Sequence, residues 1–541
     1  MKNIILRVTF AIFAFSALFY SAQAQTKLET FALTNAQIVT VSGATIAKGT
    51  IVIRDGLIES VGENVKIPSD ARVIDASGLT IYPGLFDANT TLGLQPRNPQ
   101  QQQITQTIPS NSNFPDGVRP EESVVSQLKA GDAQFENNRN AGFTTALTVS
   151  REGVFNGQSA IINLSGNAVS EMIVRAPFAQ HYTFTVARGG VYPTSLMGTI
   201  SALRQMLYDA KRLDEMRKNY EKNPRGMKRP EADASLDALI PVVNGTMPLV
   251  FNANTEIEII RALDLASEFN LKAIISGGFE AWKVADRLKK QDVPVLLSLN
   301  FPKRTTAAST EADAEPLQLL RLRAETPKGA SKLATAGVKF AFQSGGMTNL
   351  TDFLTNANKA VENGLDRSAA IRAMTLGAAE IFGVDNRLGS IEAGKIANLT
   401  VVRGDIFSKD RAFTHIFVDG KLFEQKEKPK TPTTTTTTNT NVANVGGNYN
   451  ISIDVPGQTI TGTLSLVQQG AILTGTMQTQ LGTSPIKDGK ATADGFSFSS
   501  TVQFGGSTFD INVNAKTSAN GFSGTLDSPQ GAVPISGTKI P

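Results

Sequence analysis

In residues 247–276, "MPLVFNANTEIEIIRALDLASEFNLKAIIS", a dense apolar run gives way to a helical pattern and then returns. "MPLVFNA" (247–253) and "LKAIIS" (271–276) do not alternate apolar and polar residues, as strands buried on both faces do not. Between them, "NTEIEIIRALDLASEFN" (254–270) places Ile257, Ile260, Leu263, Leu265 and Ala266 near helical spacing. Strand, helix, strand in this order points to a parallel sheet. Similar dense runs recur as "FTTALTV" (143–149), "VPVLLSL" (293–299) and "VKFAFQS" (338–344). Helical segments separate them, among them "EAWKVADRLKKQD" from Glu280 and the stretch from Asp366 to Phe382. At roughly 300 residues, a closed (β/α)₈ TIM-like barrel over 81–387 is expected rather than an open sheet.

The flanks follow another rule. Residues 31–80 alternate apolar and polar with turn signals between, in "AQIVTV", "GTIVIRDGLIESVG" and "ARVIDASGLTIYPG". Asp55-Gly56 is a hairpin turn signal. The same texture returns in "GSIEAGKIANLTVVRG" from Gly389 and "FTHIFVDGKLFE" from Phe413. Residues 25–80 and 388–427 are therefore expected to form one composite β-sandwich domain, since chain ends often lie together. Residues 96–120 look like a long loop. Residues 199–235 look like a charged surface helix, broken at "KNPRGMKRPE". "KPKTPTTTTTTNTNVANVGG" (428–447) is a low-complexity linker that cannot bury a core. Residues 448–541 are poor in charge, and glycines fall at turn-like intervals. An all-β domain of about eight short antiparallel strands is expected, a small sandwich or barrel.

The N-terminus has the form of a signal peptide, residues 1–24. Lys2 and Arg7 supply charge, Ile4 to Leu18 is mostly apolar, and Ala22-x-Ala24 offers a cleavage site. This predicts an exported protein, periplasmic or secreted, with no membrane span after cleavage. There is no cysteine, so neither disulfides nor a lipid-modified cysteine anchor is available. The formal charge of +4 points to no nucleic-acid partner.

"PGLFDANTTLGL" (83–94) carries a family likeness. With "AGFTTALTV", "GVFNGQSAIINL", "LASEFNLKAIISGGFEAWKVAD", "AGVKFAFQS" and "LGSIEAGKIANLTVV" in order, the chain from about Phe31 to Glu424 resembles the amidohydrolase superfamily, close to exported imidazolonepropionase-like proteins. The resemblance implies a hydrolase acting on C–N bonds other than peptide bonds. It also implies a divalent metal such as zinc, held by histidines and a carboxylate at the C-terminal ends of barrel strands.

At the positions that the resemblance assigns to metal ligands, other residues stand. The first-strand histidine pair is Asn89 and Thr91. The fifth-strand histidine is Asn252, the sixth-strand histidine aligns to Gly277, and the eighth-strand aspartate is Gly345. Asn and Thr oxygens are weak neutral ligands, and glycine has no side chain. Asp87 remains, as a structural acceptor. No bound metal and no catalytic residue are expected. A pocket of Asn89, Thr91, Asn252 and Asn254 would be polar and uncharged, suited to a small amide- or hydroxyl-bearing ligand or to water.

His181 and His415, the two histidines, fall on no ligand motif. Ser159 in "GQSAI" lacks the Gly-x-Ser-x-Gly context of a nucleophile. The "SGG" turns at 276–278 and 344–346 lack the strand–loop–helix setting and lysine of a phosphate loop. Glu280 and Lys283 read as a surface pair. Asn398 in "KIANL" stands where the resemblance leads one to expect aspartate. The sequence thus predicts a degenerate amidohydrolase-like protein working as a binding or partner protein. An intact amidohydrolase paralogue, a second copy or a small molecule would be the partner. The competing expectation is an active C–N hydrolase with a non-standard site.

Overall fold

The computed structural model describes residues 29–94, 117–186, 192–304, 315–424 and 443–540, apart from 132, 167, 348, 456–457, 481, 505–506, 519 and 529–530. The signal segment 1–24, most of the loop at 96–120 and most of the linker at 428–447 lie outside the described residues. The chain divides into two compact units, Met1–Lys428 and Pro429–Pro541.

The first unit holds a barrel of eight staves. They are Leu85–Thr90, Phe143–Thr148, a third made of Phe155–Gln158 and Ala160–Asn163, then Gln180–Thr183, Leu249–Ala253, Ala273–Gly277, Val295–Ser298 and Phe340–Gln343. Staves four to eight pair in parallel, and so do one and two. The eighth lies back against the first, where the Ser344 N–H donates to Asp87 Oδ1 at 2.9 Å.

The third stave departs from the all-parallel expectation. It runs antiparallel to the second and to the fourth. The physical reason is connection length. The stretch 149–154 is too short for the crossover that a parallel pair needs, so the chain reverses directly.

Alternation along the staves sorts the core. Phe86, Leu147, Ile161, Val250, Ile274, Leu296 and Ala341, from seven staves, share one buried cluster with Phe178 and Phe382. Their sequence neighbours, such as Phe251, Ile275, Leu297 and Phe342, join a larger cluster with the helices.

The helix at 254–270 shows how the sequence sets its ends. It spans Glu256–Phe269, opened by a Thr255/Glu258 capping box and closed by Asn270 in the left-handed region. Ile259, not Ile257, joins Ala262, Leu263, Leu265 and Ala266 in the core; Ile257 is exposed. The stretch 366–382 is two helices, Arg367–Ala373 and Leu376–Phe382, rather than one. A 27-residue helix, Leu196–Lys222, buries its first half and exposes its charged second half. Among the described residues no helix is long and apolar enough to cross a membrane.

The two flanks share one eight-stranded sheet. Leu399–Arg403 pairs antiparallel with Leu79–Pro83, joining the C-terminal strands to the N-terminal ones. Phe31, Ile38, Ile51, Ile81, Leu399 and Phe417 fill its core. Asp55 and Gly56 both take positive φ in the hairpin between Arg54 and Leu57.

The second unit is a closed antiparallel barrel of eight strands between Gly447 and Lys539. Its strands are 8–12 residues long, and Tyr449, Phe496, Phe498 and Phe522 pack in its interior with aliphatic residues. Of the sandwich and the barrel, closure selects the barrel, which leaves no sheet edge.

Candidate functional site

Catalytic residues of such barrels sit at the C-terminal ends of the strands. In this chain that end carries Asp87, Asn89, Asn252, Ser276, Gly277, Ser298, Gln343 and Gly345. Asn89 Nδ2 donates to Ser276 Oγ at 2.7 Å, and Gln343 Nε2 donates to the same hydroxyl at 3.0 Å. Asn252 Nδ2 donates instead to Asn156 Oδ1 at 3.0 Å. Thr91 is exposed, one residue past the end of the first stave, and no hydrogen bond joins its side chain to these groups. Asn254 is exposed at the rim.

The two glycines decide how much room remains. Gly277 has φ +101°, and a Cβ built there would lie 2.3 Å from Asn254 Oδ1. Gly345 has φ +61°, and its Cβ would lie 2.3 Å from Ser298 Oγ and 3.2 Å from Asn300 Cβ. Both backbones favour glycine, and both side-chain volumes are taken by neutral neighbours.

One carboxylate is left in the barrel mouth's interior. Asp87 is fully buried, and burial pushes its pKa up to about 6. Its Oδ1 accepts from the amides of Ser344 and Asn89, at 2.9 and 3.3 Å. Its Oδ2 has no partner among the described residues, and neither has Asn89 Oδ1.

A metal does not fit this set. Among the described residues no group of three or more His, Cys, Asp or Glu side chains is placed to hold one. The donors present are neutral amides and hydroxyls around a single carboxylate that already accepts two N–H groups. Divalent ions of this chemistry want deprotonated carboxylates and imidazoles.

The pairing of the buried His181 with Ser159 is what sequence reasoning missed. His181 stands in the fourth stave opposite Val250, fully buried, with Nε2 2.9 Å from Ser159 Oγ. Burial pushes its pKa down to about 3, so it is neutral. Ser159 Oγ donates to the Ala179 carbonyl at 3.2 Å. It therefore accepts from His181 Nε2–H, the reverse of the arrangement that activates a nucleophile. Ser159 is also fully buried. Only the pairing of distant segments brings the two residues together; neither sits in a motif.

Other expectations resolve simply. Lys283 Nζ donates to Glu280 Oε1 at 2.7 Å, a local pair. His415 lies in the flanking sheet, in the strand Ala412–Val418. The turn at 344–346 does stand between a strand and a helix, Phe340–Gln343 and Thr351–Glu362, contrary to the sequence reading. The signal was hidden by the short strand; the lysine of a phosphate loop is still lacking.

Comparison with known proteins now has a geometry to meet. A model of the amidohydrolase family matches residues 303–425. An amidohydrolase of known structure from Thermotoga maritima is 25% identical, covering 73% of this chain and 100% of that one, with a TM-score of 0.61. The chain belongs to the amidohydrolase superfamily.

Two curated relatives are similar over limited stretches. The enamidase of Eubacterium barkeri is 32% identical over 124 residues, 22% of this chain and 30% of that protein. The 5-methylthioadenosine/S-adenosylhomocysteine deaminase of Pyrococcus furiosus is 38% identical over 60 residues, 11% of this chain and 14% of that protein. The chain thus matches under a third of the length of either relative.

Proposed function

We propose that this amidohydrolase-superfamily chain is catalytically degenerate, of the exported imidazolonepropionase-like kind, and works by binding rather than by hydrolysis. The observation that carries this reading is the filled ligand space. A Cβ at 277 would meet Asn254 Oδ1 and one at 345 would meet Ser298 Oγ, both at 2.3 Å, and both backbones there are left-handed. A metal site lost only by substitution would leave cavities. Here neighbouring side chains stand against both positions, and the other expected positions hold Asn89, Thr91 and Asn252, so restoring one ligand would not restore the site. The inward pairing of Ser159 with His181 supports the same reading, because it offers no metal-independent nucleophile.

The barrel's retained shape is the argument for association. An intact amidohydrolase of the same extracytoplasmic compartment is the favoured partner, with a second copy or a small polar ligand as the other outcomes. The test is elemental analysis of the purified mature protein after dialysis against zinc, with turnover measured on a panel of linear and cyclic amides. Degeneracy predicts less than stoichiometric metal and no turnover. A metal-to-protein ratio near unity that is lost on Asp87→Ala, with hydrolysis, would overturn it. Affinity purification from the native host, followed by sizing, tests the partner.

A further inference from the structure

The turn after the eighth stave gathers backbone donors without an acceptor among the described residues. Gly345 and Gly346 are successive left-handed residues, at φ +61° and +78°. Among the described residues their amide N–H groups donate to no backbone or side-chain acceptor. The Ser344 N–H is already taken by Asp87. The Arg151 guanidinium, arriving from the end of the second stave, stands over the same turn. A Cβ on Gly346 would lie 2.3 Å from Arg151 Nη1, so only glycine admits the guanidinium there.

No hydrogen bond or close salt bridge joins Arg151 to a described residue, and the charge that acts on it is that of Asp87. Arg151 is exposed, yet its head group lies among enough protein to lower its pKa from the ordinary arginine value. The nearby cation Lys303 is different, because Asp352 Oδ2 accepts from its Nζ at 3.1 Å. Asn300 flanks the turn on its other side and donates from Nδ2 to the Gly345 carbonyl at 3.4 Å.

We propose that the Gly345–Gly346 amides and the Arg151 guanidinium form an oxyanion-binding site at the barrel mouth, for the carboxylate or phosphate of a small molecule. Successive backbone N–H groups in such a turn make an anion-binding concavity. The planar guanidinium adds paired donors matched to an oxyanion. Loops after the seventh and eighth strands are a common place for phosphate in barrels of this architecture. Asp87 lies beneath and opposes an anion when ionised. Its charge and that of Arg151 act on each other. The site deepens the small-ligand side of the proposed function and rests on the barrel binding rather than turning over its ligand.

The test is isothermal titration calorimetry of the full mature chain with inorganic phosphate, N-acetylglycine and the neutral N-acetylglycinamide. Saturable binding of at least one anion and none of the amide is expected, and the stronger anion identifies the group. R151Q should weaken that binding about tenfold or more with an unchanged melting temperature. K303Q should leave it within about threefold, as expected for a rim charge already paired. No saturable anion binding by the folded protein, or R151Q binding like the parent, overturns the site. Binding through Arg151 accompanied by hydrolysis of N-acetylglycine would instead keep the site and overturn catalytic degeneracy.

Discussion

The α/β barrel treats the buried polar groups around Asn398, at its foot, and around Asp87, at its mouth, differently. At the foot, where the flanking sheet meets the staves, Asn398 Nδ2 donates to Thr145 Oγ1 and Asn163 Oδ1, at 3.1 and 2.9 Å. Asn398 Oδ1 accepts from the Asp419 amide at 2.8 Å. Asp419 in turn accepts from Asn163 Nδ2 and Ser165 Oγ, which hold its charge although burial raises its pKa. Each member of that network has a partner. At the mouth, Asp87 Oδ2 and Asn89 Oδ1 have none, and further into the barrel His181 Nδ1 has none. Buried polar groups that hold a fold together are satisfied, because an orphan costs about 1–3 kcal/mol. The Asn398 network is built as structure, although Gln180, buried at the start of the fourth stave, leaves both its side-chain polar atoms unpaired among the described residues. The mouth leaves buried polar atoms of Asp87 and Asn89 unpaired, as the proposed degeneration of a charged site would.

The largest expected effect is at the foot. Asn398→Ala strands the Asp419 amide and removes a donor from Asn163 and Thr145, and should cost about 3–5 kcal/mol in urea unfolding. A loss under about 1 kcal/mol would erase the contrast. Next comes the mouth's eighth-strand position. Gly345→Asp returns a carboxylate to the family's ligand position, but against a left-handed backbone and Ser298. It should cost about 2–4 kcal/mol and still take up no zinc after dialysis. Stoichiometric zinc in that variant would show that the mouth is one residue from a working site.

Asp87→Asn should have a smaller effect, of opposite sign. The folded state raises the Asp87 pKa from 3.8 to about 6, so it binds the proton more tightly than the unfolded chain does. That contribution is fully present below about pH 4 and is lost as pH rises through about 6. Asparagine keeps the acceptor for Ser344 and removes the buried charge. The variant should therefore be more stable than the parent by about 1–3 kcal/mol at pH 7.5, with the difference vanishing near pH 4. Thermal melts across that range check it, and a variant equally destabilised at both ends would show that the charge is compensated. The smallest effect belongs to Asn252→Ala. It removes one bond from a half-buried side chain and should cost under about 1 kcal/mol. A larger loss would make Asn252 part of the framework rather than of the dismantled site.

Much of the fold was legible in the residues. The dense runs at 143–149, 247–253, 271–276, 293–299 and 338–344 became staves, because a strand covered on both faces must be apolar at consecutive positions. The spacing over 254–270 marked a helix in sequence terms, and the structure added the Thr255/Glu258 capping box that starts it. The third stave escaped, since "GQSAIIN" gives no sign of its direction and a short connection decides it. Ile257 was misassigned for a related reason: spacing gives a helix its stripe, but the packed neighbour decides which edge of the stripe is covered.

For the site, the sequence by itself determined which chemistry is missing, because a ligand's identity is a property of one residue. Asn89, Asn252, Gly277 and Gly345 have no imidazole or carboxylate to offer, whatever the fold does. Tertiary structure alone decided what took the place of that chemistry. The approach of Asn254 to Gly277 and of Ser298 to Gly345, the inward pairing of Ser159 with His181, and the stand of Arg151 over Gly346 each join residues apart in the chain. Such contacts depend on how the staves are registered against one another, and no local pattern records that register.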